Sequence, residues 1–399
     1  MISGKNIVIV GLQSWDISIG SNCKNIALEL SKYNRVLYVN RAPDRISMLR
    51  SRGDNKVQNA VKSLRGEIND LQQVTPQLWT LAPRTVLESV NWIPFNGLFD
   101  FFNRINNQRI AREINKATAQ LGFGEIVLFN DNDFFRGFYL AEMLNNVTAS
   151  IYYIRDNLTS QAYFQKHGKR LETKLMQKST LVAANSAWLA DYGRQHNPSS
   201  FDIGQGCDFD NLPEDGLNSV PEDIAALKKP LIGYVGALIS TRLDIAVLEH
   251  IATNRPDWNI VLVGPEDDRF LNSRLHDLPN IHFTGSKPPA QLPGYIAAFD
   301  VCINPQVVND MTIGNYPRKI DEYLAMGKPV VATSTATMQL FASYVNLCNN
   351  KEAYIVEIEN ALAHPDAKAT SKERRDFALT HTWNNSVLQL SRHYHTLNN

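Results

Sequence analysis

The feature that most constrains this chain is an alternation of short β-branched runs with longer segments of helical periodicity, and it occurs twice. In the first half the runs fall at 6–10, 35–39, 125–129, 150–154 and 180–184; in the second they fall at 230–235, 258–263, 280–283, 301–304 and 329–332. Strands that are apolar throughout are buried on both faces, and spacers of this length suit crossover connections. The pattern predicts a parallel α/β sheet in each half. Helices are expected at 21–32, with Ser21 or Asn22 as the cap, and at 243–254, 291–298 and 316–326. At 211–229, Pro213, Gly216 and Pro221 break the pattern beside several acids, as in a linker. The domains are therefore expected at 1–212 and 225–383. Residues 371–397 carry Phe377, Trp383, Val387, Leu390 and Tyr394 at helical spacing, ending the second domain or returning to the first.

With 399 residues, 44% of them hydrophobic, the chain has ample core for two domains, which excludes a disordered or collagen-like polypeptide. Forty Lys and Arg balance forty Asp and Glu, which disfavours a nucleic-acid partner. The balance hides a split, because cations exceed acids by eight in residues 1–200 and the reverse holds in 201–399. Much of the excess lies in 41–65, where Arg41, Arg45, Arg50, Arg52, Lys56, Lys62 and Arg65 face only Asp44 and Asp54. That segment reads either as a solvated face or as a contact with an anionic partner. The four cysteines form no CxxC pair, so a reduced interior without zinc is expected. The apolar run at 7–12 is too short for a signal h-region, and no stretch approaches the roughly 18 apolar residues of a spanning helix. A cytoplasmic location is the expectation.

The densest chemistry lies in 315–333, NYPRKIDEYLAMGKPVVAT. Asn315 can cap a helix with Pro317 in its first turn, and Gly327 suits the exit before the next strand. Arg318 and Lys319 then sit at a helix N-terminus, a natural anion site, with Glu322 one turn deeper to accept from a ribose diol. The competing reading is a surface ion pair between Lys319 and Glu322. Gly236, followed by Arg242 opening the next helix, forms a second glycine turn at a strand end, and Gly264 and Gly285 form two more. Neither G-x-G-x-x-G after the first strand nor G-x-x-x-x-G-K-[ST] is present, which counts against a dinucleotide oxidoreductase and a P-loop phosphotransferase.

The string Pro317-x-Lys319-x-x-Glu322-Tyr323-x-Ala325-x-Gly327-Lys328-Pro329-Val330-Val331 resembles that of glycosyltransferase group 1, also called family 4-like. The turn at Gly236-Ala237-Leu238 with Arg242, the segment Gly204-Gln205-Gly206-Cys207-Asp208, and Ala184-Asn185-Ser186-x-x-Leu189 are similar to further motifs of the group. The resemblance runs from about residue 170 to the end. It implies the GT-B fold, an α/β architecture of two Rossmann-like parallel-sheet domains facing across a cleft. The first domain would bind the acceptor and the second a nucleotide-diphosphate sugar. The tail around Thr382-Trp383 is similar to the group's closing helix, so 384–399 is expected to cross back to the first domain.

Departures refine the expectation. A second Glu common in retaining members is Gly314, the usual Arg after the first glycine is Ala237, and the usual His-Asp pair is Arg155-Asp156. The last resembles the xanthan glucuronosyltransferase branch, implying inversion with Asp156 as the base that deprotonates the acceptor; a cap or a salt bridge with Arg155 is the alternative. Asp16 is a second base candidate, Trp15 lies beside it, and Asp131 and Asp133 are acceptor-side candidates or a turn. Donor-side residues are Gly236, Gly264, Gly285, Arg242, Arg318, Lys319 and Glu322, the cations stabilising the departing diphosphate without a metal. No cofactor is expected. Aromatic residues at 90–102, with Arg104, Arg109 and Arg112, suit either a core helix or, together with 41–65, an anionic membrane surface on its inner face. The activity implied is sugar transfer to a glycan or lipid-linked acceptor in bacterial cell-surface polysaccharide synthesis. A nucleotide-sugar epimerase of the same fold and an inactive nucleotide-binding scaffold remain alternatives.

Overall fold

The structure, a computed structural model, describes residues 1–16, 21–50, 62, 64, 66–67, 69–209 and 220–398. The chain forms two units, Met1–Gly204 with Trp383–Asn399, and Gln205–Thr382. Residues 211–219 of the expected linker and part of the basic segment, including Arg52, Lys56 and Arg65, lie outside the described residues, as does the side chain of Arg50.

In the first unit the strands are β1 (Asn6–Gly11), β2 (Arg35–Val39), β3 (Leu71–Thr75), β4 (Leu78–Leu81), β5 (Ile126–Asp131), β6 (Val147–Ile154), β7 (Leu181–Ala184) and β8 (Ser200–Asp202). They lie in the order β3-β4-β2-β1-β5-β6-β7-β8, parallel except for the antiparallel β3–β4 pair. Side chains alternate across a strand. Ile7 and Ile9 therefore pack with Ile26 and Leu30 of the helix Asn22–Ser31 on one face, whereas Val8 and Val10 pack with Ile110 and Ile114 of the helix Asn96–Gln120 on the other. The strand run is apolar throughout because both faces are covered.

The second unit adds β9 (Leu231–Val235), β10 (Asn259–Val263), β11 (Ile281–Gly285), β12 (Val301–Asn304), β13 (Val330–Thr333) and β14 (Asn346–Cys348). All are parallel, in the order β11-β10-β9-β12-β13-β14. Chain direction reverses beside β1 in the first sheet and beside β9 in the second. Sheets of this kind bind ligands at the carboxyl ends of strands flanking such a reversal.

The apolar tail forms two helices in different units. Ser371–Ala378 belongs to the second unit, and Trp383–Asn398 packs Trp383, Val387, Leu390 and Tyr394 into the core formed by Ile2, Ile7 and Ile26 in the first. The Ser391 hydroxyl accepts from the Ile2 N–H at 2.9 Å, tying the two ends of the chain together. The division falls at Gly204, ahead of 212, because Cys207 is built into the second unit. Its N–H donates to the His381 carbonyl and its thiol to Asp321 Oδ2.

Candidate functional site

In the second unit the loops after β9, β10 and β12 are laced together. The Gly236 N–H donates to the Val263 carbonyl at 2.9 Å, Leu238 to Pro265 at 2.8 Å, Asp244 to Pro305 at 2.8 Å and Val307 to Arg242 at 2.9 Å. Gly264 is required here, since its φ is +151° and a Cβ would stand 2.0 Å from the Gly236 carbonyl oxygen. Arg242 does not open a helix. Asp244 caps the helix Ile245–Asn254, accepting from the Ala246 and Val247 N–H groups at 2.9 and 3.3 Å, because its short carboxylate reaches the first-turn donors. Gly285 closes β11 at the sheet edge.

Over these loops stands the helix Arg318–Ala325. Its apolar stripe, Ile320, Tyr323 and Leu324, is fully buried against the sheet. Tyr323 fixes the helix to the last residue of β9: its hydroxyl accepts from the Val235 N–H at 2.8 Å and donates to the Val235 carbonyl at 3.3 Å. One turn earlier, Lys319 is thereby held at the carboxyl end of β9. Its Nζ donates to Tyr234 Oη at 2.6 Å and lies 4.4 Å from that ring's centre. A Cβ on Gly236 would be 3.2 Å from Lys319 Nζ, so the glycine turn lies directly beneath the ammonium.

Lys319 and Glu322 therefore form no ion pair. The Glu322 carboxylate has no hydrogen-bond or ion-pair partner among the described residues, and burial raises its pKa against the opposing pull of Arg318 and Lys319. Arg318 Nε is buried without a partner. Asn315 does not cap this helix. Pro317 occupies the N-cap position, and the N–H groups of Arg318 and Ile320 bond the Tyr316 and Pro317 carbonyls. Side chains, more than free helix N–H groups, supply the positive charge.

Asp321, on the opposite side of the helix, is fully buried. It accepts from Tyr316 Oη at 2.8 Å and meets His381 Nδ1 at 2.6 Å, besides the Cys207 thiol. These contacts fasten the segment at 207 and the segment at 381 to one helix.

In the first unit the register sets Gly11, Asp131 and Tyr153 side by side at the carboxyl ends of β1, β5 and β6. Arg155 joins two of the candidate acids, with Nε 2.9 Å from Asp131 Oδ1 and Nη1 3.4 Å from Asp156 Oδ2. Asp131 is fully buried, and burial pushes its carboxyl up despite Arg155. It has no contact with solvent, and its charged partner is Arg155. Asp156 is half-buried. Asp133 is committed to structure: Oδ1 accepts from the Phe135 and Arg136 N–H groups and Oδ2 pairs with Arg136 Nε at 2.7 Å. Asp16 is exposed in a turn, and Trp15 packs edge-on against Tyr38 at 5.2 Å.

Sequence reasoning missed Tyr234, which orients Lys319, and a cavity in the first unit of about 640 Å³ bounded by Arg41, Trp92, Arg136 and Tyr163. The segment at 90–102 is mixed. Ile93 and Phe99 are buried, whereas Trp92, Phe95 and Phe101 are exposed. Among the described residues no group of three or more His, Cys, Asp or Glu is placed to hold a metal ion, and no helix is long and apolar enough to cross a membrane.

The fold is of the GT-B type, and residues 229–364, within the second unit, match the family model described as glycosyl transferases group 1. The chain is similar to TuaH of Bacillus subtilis (strain 168), named as a teichuronic acid biosynthesis glycosyltransferase, with 27% identity over 248 residues, covering 58% of this chain and 60% of that protein. It thus spans about three fifths of that relative's length. Among solved structures it is similar in fold to sucrose-phosphate synthase from Thermosynechococcus elongatus, with 17% identity, a TM-score of 0.66 and coverage of 98% and 99% of the two chains. It is similar also to HepE of Anabaena in complex with UDP, with 16% identity, a TM-score of 0.65 and coverage of 99% of each chain.

Proposed function

We propose that the protein transfers a sugar from a nucleotide-diphosphate sugar to a hydroxyl of a glycan or lipid-linked acceptor, in the assembly of a cell-surface polysaccharide. The observation that carries this reading is the placing of an oriented cation, Lys319, beside a carboxylate, Glu322, that has no hydrogen-bond or ion-pair partner among the described residues, at the carboxyl end of β9. A nucleoside diphosphate presents the complementary groups, a diphosphate and a ribose diol. The relative TuaH bears on the pathway by its name, and HepE bears on the donor by its complex with UDP.

In the reaction the bond from the anomeric carbon to the diphosphate oxygen breaks with both electrons going to the leaving group. Lys319, Arg318 and Arg242 offset the charge that builds there, an effect that grows in the transition state. Asp156 takes the acceptor hydroxyl proton as the new carbon–oxygen bond forms, with inversion at the anomeric carbon. Arg155, braced by Asp131, orients Asp156. Metal-independent transfer and a place on the inner membrane face belong to the same proposal. Trp92, Phe95, Leu98 and Phe101, between 46% and 72% exposed, would enter the interface beside Arg104.

Calorimetric titration with UDP, GDP and ADP in the absence of metal tests the donor site. One nucleotide should bind, and Lys319→Ala with Glu322→Ala should remove that binding. With an accepted donor and acceptor, Asp156→Asn should lose turnover and keep nucleotide affinity. Failure of all three nucleotides to bind overturns the reading. Cosedimentation with phosphatidylglycerol vesicles, lost in Trp92→Ala/Phe95→Ala, tests the membrane contact, and sedimentation unchanged by those substitutions overturns it.

A further inference from the structure

The cavity in the first unit has no role in the donor site, yet it lies where a parallel sheet places ligands. Leu12 follows β1, Arg41 follows β2, and Asp133 and Arg136 follow β5, so the lining comes from strand ends on both sides of the chain reversal at β1. Its volume, about 640 Å³, suits one or two sugar rings.

The charges lining it are unevenly matched. Asp133 is spent on Arg136 and two backbone N–H groups. Asp44 accepts from the Ile46 and Ser47 N–H groups and the Ser47 and Ser89 hydroxyls. Glu88 pairs with Arg45 at 2.7 Å and Arg109 at 2.9 Å. Every acid in the wall is thus saturated. Arg41, in contrast, has no hydrogen-bond or ion-pair partner for its side chain among the described residues, and Arg136, paired with Asp133 through Nε at 2.7 Å, faces the same space. Repulsion from the Arg136 guanidinium, followed by burial, lowers the Arg41 pKa against the opposing pull of Asp133, Tyr163 and Asp44.

The same wall carries aromatic surface. Trp92 is 68% and Tyr163 59% exposed, and the indole is held by its Nε1 donating to the Ser89 carbonyl at 2.6 Å. A flat aromatic face suits the C–H face of a sugar ring, and a guanidinium pair suits a phosphate or carboxylate.

We infer that this cavity is the acceptor subsite and that its occupant is an anionic saccharide, a sugar bearing a phosphate, diphosphate or carboxylate, held by Arg41 and Arg136 against Trp92 and Tyr163. The inference rests on the transfer reaction proposed above and specifies its acceptor. Arg41 is a specificity residue that adds affinity for charged acceptors; since it makes no ion pair among the described residues, its removal leaves the fold intact.

The test is titration of the full chain, followed by tryptophan fluorescence and calorimetry, with glucose 1-phosphate, methyl glucuronide, farnesyl diphosphate and neutral methyl glucoside. At least one anionic probe should bind about ten-fold or more tightly than methyl glucoside, Arg41→Gln should weaken it about ten- to a hundred-fold, and added salt should weaken it further. A preference for glucose 1-phosphate or methyl glucuronide assigns a soluble or glycan-borne anion, and a preference for farnesyl diphosphate a lipid-linked one. Equal binding of neutral and anionic probes, or unchanged affinity in Arg41→Gln, overturns the inference. Nucleotide affinity is measured in the same samples. Its retention in Arg41→Gln shows an intact donor unit. Anionic-sugar binding without nucleotide binding would sink the donor reading and leave this subsite standing.

Discussion

The Lys319 ammonium is held 2.6 Å from the Tyr234 hydroxyl, and Glu322, three residues along the same helix, has no hydrogen-bond or ion-pair partner among the described residues. A lysine and glutamate at this spacing ordinarily neutralise each other at the surface. Here the sheet supplies the lysine's acceptor, so each charge keeps capacity for a ligand. The arrangement depends on Tyr323, whose two hydrogen bonds to Val235 fix the angle at which Lys319 emerges.

Tyr234→Phe removes one acceptor and leaves the ring beneath the ammonium. Nucleotide affinity should fall by several-fold, whereas Lys319→Ala should lower it about ten- to a hundred-fold, the range of a charge-assisted hydrogen bond. Calorimetric titration of both variants checks the ranking; equal losses would mean that Tyr234 does more than orient.

Nucleotide binding should also depend on pH through Glu322. In the proposed donor site the ionised form would accept both ribose hydroxyls, and burial raises its pKa. Affinity should therefore be full at neutral pH and decline as pH falls through the raised carboxyl pKa, earlier than for an ordinary glutamate. Glu322→Gln should bind more weakly and show no such decline, which titrations at a series of pH values will read.

Gly264 and Gly285 both adopt positive φ, at +151° and +71°, but only Gly264 has a neighbour in the way. Gly264→Ala drives a Cβ to 2.0 Å from the Gly236 carbonyl and should destabilise the second unit by about 3 kcal/mol or more. Gly285→Ala meets nothing within 4 Å and should cost only about 1–2 kcal/mol from its backbone conformation. Thermal unfolding of the two variants compares them, and Gly264→Ala should also lose nucleotide binding because the loop under Lys319 shifts.

Asp131 and Asp156 share one guanidinium and should separate by assay. Breaking the buried Asp131–Arg155 pair with Asp131→Asn should cost about 3–5 kcal/mol of stability. Asp156→Asn, at a longer and more exposed contact, should leave unfolding within about 1 kcal/mol of the parent and act on turnover. Unchanged turnover in Asp156→Asn would overturn its assignment as the base.

What the sequence made legible follows burial. Strands such as Asn6–Gly11 and Leu231–Val235 are apolar on both faces, so their runs stood out without an alignment. Leu71–Thr75 did not stand out: it is an antiparallel edge strand with three consecutive exposed residues and a polar sequence, and its partner Leu78–Leu81 is only four residues long. The three-residue strands at Ser200–Asp202 and Asn346–Cys348 give no period to read. The helix bearing Lys319 and Glu322 was legible because its chemistry is local, three residues apart. Tyr234 lies 85 residues from Lys319, and Arg41 and Arg136 meet only through strand order, a relation no window of sequence contains.

Glu172 offers a test of the first unit's interior that is independent of any ligand. Its carboxylate is 1% exposed, accepting from Tyr152 Oη at 2.8 Å and Tyr192 Oη at 3.1 Å, and burial raises its pKa to about 7 in spite of those bonds. The folded state thus holds a proton that the unfolded chain, titrating near the ordinary value of 4.5, has already released. Stability from this group is complete below the unfolded pKa and is lost as pH rises towards 7, by on the order of 3 kcal/mol. Glu172→Gln stays neutral throughout, and its amide can accept from one tyrosine and donate to the other. Relative to the parent, the variant should therefore gain stability between about pH 5 and pH 8. Urea unfolding at both pH values measures that gain, and a difference that stays constant across them would show the glutamate to be ionised within the core.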